Sequence, residues 1–162
     1  MKQARKLVPL AVVAAALLSA PAASAAEQTF VGQVPTGTIG PYEVKQDVKF
    51  PVPTPPAGVY ITKMETDIVD ATTGNPVPIS RLMLHHIVFA NVGQPDSTCN
   101  GQGFVGFDSR PDPYAGVPIQ RFYAAGEERA KLALPDGYGY ENNGIFWGMT
   151  YMVMNHRNVP DN

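Results

Sequence analysis

The stretch Arg81-Leu82-Met83-Leu84-His85-His86-Ile87-Val88-Phe89-Ala90-Asn91-Val92 sets two adjacent imidazoles inside an apolar run of strand-like character. A second run of the same kind, Ile145-Phe146-Trp147-Gly148-Met149-Thr150-Tyr151-Met152-Val153-Met154-Asn155-His156, ends on the third and last histidine of the chain. Imidazole is the commonest metal ligand, and three imidazoles with an open position suit copper or zinc. His85, His86 and His156 are therefore candidate ligands of a single metal ion. A histidine in an apolar strand is also often a core residue hydrogen-bonded to a backbone carbonyl, and for one histidine taken singly that reading comes first; the pair plus a third brings the metal reading level with it.

Alternation along a strand restricts how such a site can form. Neighbouring residues point to opposite faces, so His85 and His86 reach one ion only if a bulge or local twist re-aims one of them. On the second run Thr150, Met152, Met154 and His156 share one parity and hence one face. Thioether beside imidazole favours Cu(I), and no Asp or Glu closely flanks either run to suggest zinc or iron. Taken one at a time, Met149, Met152 and Met154 read as gap-filling residues of a sandwich core ahead of any reading as ligands.

Working outward, 16 prolines and 15 glycines punctuate short apolar runs, and no stretch shows a sustained helical period. An antiparallel all-β sandwich is the class this predicts. Thr29 to Val34 reads as a short strand. Tyr42 to Phe50, closed by Pro51, Pro53, Pro55 and Pro56, reads as an edge strand running into an extended connector. Val59 to Asp70 reads as one longer half-buried strand, with a turn at Thr72 to Asn75. Gly93 to Pro118 has the composition of a long surface loop. Ile119 to Ala124 and Lys131 to Leu134 read as short strands on either side of the polar turn Ala125 to Arg129. The last strand ends in Asn155-His156-Arg157-Asn158, four residues before the sequence stops at Asn162, which suggests a fragment of a longer protein.

At the other end, Lys2, Arg5 and Lys6, the apolar Leu7 to Leu18 and the small residues Ala23-Ser24-Ala25 follow the order of a secretory signal peptide. Residues 1–25 are expected to be removed, leaving a single domain over 26–162 that is secreted or periplasmic. Its charge would be nine basic against fourteen acidic residues, which makes nucleic acid and anionic membrane surfaces poor partners. Cys99, the sole cysteine, has no disulfide partner within the chain.

Met83-Leu84-His85-His86-Ile87-Val88-Phe89, Cys99, Leu134-Pro135-Asp136-Gly137-Tyr138-Gly139 and Trp147 to His156 together resemble the first copper domain of the copper type II, ascorbate-dependent monooxygenases. Peptidylglycine α-hydroxylating monooxygenase and dopamine β-hydroxylase are the best-known members of that family. The resemblance covers about residues 80 to 157. It implies a jelly-roll-like sandwich that binds one copper ion through His85, His86 and His156 and delivers electrons, with ascorbate or another reductant as source. The family's second copper domain, with its His-x-His pair and methionine, has no counterpart here, and the family disulfides are missing. A complete hydroxylase acting on a small-molecule or peptide substrate would need that second domain. The histidine runs also resemble stress-related secreted proteins of bacteria and plants.

Two functional classes follow from the sequence. One is an exported copper domain of monooxygenase type; the other is a non-catalytic exported sandwich with a binding or structural role. A serine or cysteine hydrolase is disfavoured, because there is no Gly-x-Ser-x-Gly and no histidine near Cys99 in sequence.

Overall fold

The computed structural model describes residues 26–96 and 117–161. The expected signal segment, Cys99 and most of the Gly93 to Pro118 loop lie outside the described residues. Within them the fold is all-β: eight strands, every pairing antiparallel, and no helix. The strands are β1 (Val44–Val52), β2 (Tyr60–Ile61), β3 (Lys63–Met64), β4 (Leu82–Val92), β5 (Ile119–Gly126), β6 (Leu132–Ala133), β7 (Tyr140–Glu141) and β8 (Phe146–Asn155). Four of them form one sheet in the order β1-β8-β4-β5, while β2 pairs with β7 and β3 with β6 as two short ribbons.

The two histidine-bearing runs occupy the two central places of the large sheet, as β4 and β8. Their apolar content explains the position, since only a central strand is covered along both edges by neighbours. β1 is an edge strand, in keeping with its charges and with Pro51 near its end. Along β8 the residues Trp147, Met149, Tyr151 and Val153 point to one face and are buried, together with Leu82, Leu84 and Ile87 of β4 and Tyr123 and Ala125 of β5. Ile61, Met64, Ile68 and Leu132, from the ribbons and their connections, pack against this face. Each large apolar side chain buried here contributes roughly 1.5–3 kcal/mol relative to exposure. A smaller cluster, Ala90, Val92 and Ile119 with Val88, Phe50 and Phe146, covers one end of the opposite face.

Two expected strands take another form. Thr29 to Val34 is irregular. Val59 to Asp70 is divided into β2 and β3, which pair with different partners, and a single bridge joins Val69 to Pro76. Each partner offers only two residues to pair with, so Thr62 becomes a pivot between ribbons and not the middle of a strand. The last run ends as a strand at Asn155. Beyond it the chain turns back and Asp161 bridges to Ile39.

Candidate metal centre

The local structure at His85 and His86 follows from the spacing of the apolar residues around them. Leu82 and Leu84 are two apart, as are Ile87 and Phe89, but Leu84 and Ile87 are three apart. In an unbroken strand these two pairs would face opposite ways. All four belong to the same core face, and one extra residue is what permits it. The pairing of β4 with β8 shifts between Leu84, opposite Val153, and His86, opposite Met152, so that His85 has no rung of its own. This is a bulge, and its effect is to carry both imidazoles away from the core face.

The two rings meet there. Nδ1 of His85 lies 3.0 Å from Nδ1 of His86, with ring centroids 5.2 Å apart and planes inclined by 67°. His85 is exposed and His86 half-buried. Burial first, and then the neighbouring His85, lower the pKa of His86 below its ordinary value. The ring is accordingly neutral at pH 7, which is the ligand form. Across the sheet, β5 places Gly126 opposite His86. A β-carbon on Gly126 would collide with the His85 carbonyl oxygen, so the bulge depends on a residue without a side chain at that place.

His156 occupies a different part of the sheet. It follows the end of β8, is exposed, and its N–H donates to the Arg81 carbonyl at 3.2 Å. Arg81 precedes His85 by four residues, an offset of roughly 13 Å along a strand. Among the described residues, no three side chains of the His, Cys, Asp and Glu types form a metal-holding group, so the chain as folded here brings together His85 and His86 and leaves His156 apart.

Methionines hold the register positions next to the pair. Met152 is the register partner of His86, and Met83 pairs with Met154 on the same face. All three are half-buried and belong to neither core cluster, whereas Met149 is buried in the main core. Parity along the sequence separates Met149 from the other two methionines of β8; only the register shows which of them faces a histidine. An open surface depression of about 460 Å³ is lined by Tyr60, Thr62, Gly137, Tyr138 and Gly139 and includes no histidine.

Comparisons with protein-family models, with curated proteins and with solved structures return no match. The functional reading therefore rests on the site itself.

Proposed function

We propose that this chain is an exported copper-binding domain of jelly-roll type, with His85 and His86 as the anchor of the ion and electron storage as its chemistry. The observation that carries the reading is the 3.0 Å separation of the two Nδ1 atoms at the β4 bulge. Two nitrogens at that separation, each about 2.0–2.1 Å from a shared ion, subtend about 94° at it, between square-planar and tetrahedral demands. Both Nδ1 atoms must then carry lone pairs, which places each ring proton on Nε2. The third donor comes from β8, the strand that carries Met152 and, just beyond its end, His156. Bound there, copper would supply a one-electron reservoir, and a reductant such as ascorbate would fill it. If joined to a second copper domain, the whole would hydroxylate a small-molecule or peptide substrate.

The same 3.0 Å contact favours one alternative, in which one imidazole donates a hydrogen bond to the other and the domain is a non-catalytic binding or structural sandwich. Metal analysis separates the two. Untagged protein titrated with copper should take up one ion per chain, and His85→Ala or His86→Ala should each weaken binding tenfold or more. A protein that binds no copper, or binds it equally well without either histidine, would leave the structural reading standing.

A further inference from the structure

We infer that the Met152 thioether is the third donor to the ion held by His85 and His86, and that the site is consequently selective for Cu(I) over Cu(II) and zinc. The inference rests on the copper reading above and adds the identity of the third ligand and the oxidation state. Three observations carry it.

The first is register. Met152 stands directly across from His86 in the β4–β8 ladder, and residues so opposed have β-carbons about 4.5–5.5 Å apart on the same face. The flexible methionine side chain covers that distance without a change of backbone. The bulge turns His85 to this face as well, as the Nδ1 contact shows.

The second is placement. Met152 is half-buried on the face opposite the main core and packs in neither apolar cluster, while Met149, of opposite parity on the same strand, packs in the main core. The Met152 thioether is thus not committed to either cluster.

The third is charge. The proposed donor set is two imidazoles and a thioether, all neutral, and among the described residues no group of three His, Cys, Asp or Glu side chains able to hold a metal forms. A half-buried site without an anionic ligand holds a monovalent ion at lower electrostatic cost than a divalent one. Thioether sulfur, a soft donor, selects Cu(I) on the same side of the balance. His156, set apart at the end of β8, is not needed.

The test is a pair of titrations on the untagged chain. Cu(I) is added without oxygen against a coloured Cu(I) chelator, and Cu(II) is added separately in air. Met152→Leu conserves volume and should keep the fold. It is expected to weaken Cu(I) binding tenfold or more, leave Cu(II) binding within about threefold, and remove the sulfur contribution from the X-ray absorption spectrum of the Cu(I) form. Met154→Leu, on the same face but opposite Met83, and His156→Ala should each leave Cu(I) binding within about threefold. Unchanged Cu(I) affinity in Met152→Leu, or a tenfold loss in His156→Ala, overturns the assignment of the third donor. If His85→Ala still abolishes binding in that case, the two-histidine copper reading survives. Absence of Cu(I) and Cu(II) binding in the unmutated chain overturns both.

Discussion

Asn142 shows how much a single amide can hold in a fold with so many prolines. Its side-chain N–H groups donate to the Pro55 carbonyl at 2.7 Å and the Pro56 carbonyl at 3.1 Å, while its Oδ1 accepts the Trp147 indole N–H at 2.8 Å. Its backbone N–H donates to Val59 and its carbonyl accepts from Gly58. The proline connector, the loop before β8 and the core tryptophan therefore meet at one buried residue. Asn142→Ala leaves the indole donor and two carbonyls without this partner. At about 1–3 kcal/mol for each buried group left unsatisfied, partly relieved by water at the proline end, the expected loss is about 3 kcal/mol. Urea unfolding measures it, and a loss below about 1 kcal/mol would mean the connector is held by other contacts. Asn142→Asp should be no milder, since a carboxylate keeps the indole bond but faces two carbonyl oxygens.

The bulge of β4 is where sequence and structure are most closely tied at the scale of an element. The out-of-step spacing of Leu84 and Ile87, and the need for adjacent histidines to share a face, both call for one inserted residue, and the structure places it at His85. The central strands and the edge position of β1 were legible for a similar reason: long apolar runs and proline-closed runs carry their surroundings in their composition. The division of Val59 to Asp70 was not legible, because it depends on how short β6 and β7 are, a property of the partners. The same limit applies to the site. Two histidines on one strand are visible in sequence, whereas the choice between Met152 and His156 as their neighbour depends on the register of β4 against β8. Gly126→Ala tests the bulge itself. The added β-carbon meets the backbone carbonyl of His85, which cannot swing aside as a side chain would. The expected cost is about 2 kcal/mol, together with weaker copper binding and altered amide resonances from Leu84 to Ile87. A variant as stable as the parent, with unchanged resonances there, would show that the bulge does not depend on this glycine.

Across the whole molecule, Arg81 joins segments far apart in sequence at the end of the sheet where β4 begins. Its Nε and Nη2 bond the two carboxylate oxygens of Asp161 at 2.7 and 2.6 Å, and its Nη1 bonds Asp70 at 2.9 Å. Arg157 also reaches Asp161. The Asp161 carboxylate is only 3 % exposed, so this fork fixes the segment after β8, including His156, against the start of β4. Arg81→Ala should lower stability to urea, but by less than breaking a fully buried pair would, because Arg157 remains to offset the Asp161 charge. Asp70 adds a dependence on pH. Chiefly the Arg81 hydrogen bond, and then the Thr73 and Thr72 backbone N–H groups, hold its pKa below the ordinary 3.8. A carboxylate with a depressed folded-state pKa contributes its full stabilisation above the unfolded value and loses it as pH falls through the folded one. Comparing the parent chain with Asp70→Asn by urea unfolding should therefore show a constant advantage for the parent from pH 7 to about 5. The advantage should shrink below about pH 4 and disappear once Asp70 is protonated, because a neutral carboxyl then resembles the amide. No advantage for the parent at pH 7, or an advantage that did not shrink once Asp70 was shown to be protonated, would mean that the Asp70 charge, and with it the Arg81 pair, contributes nothing to holding these segments together.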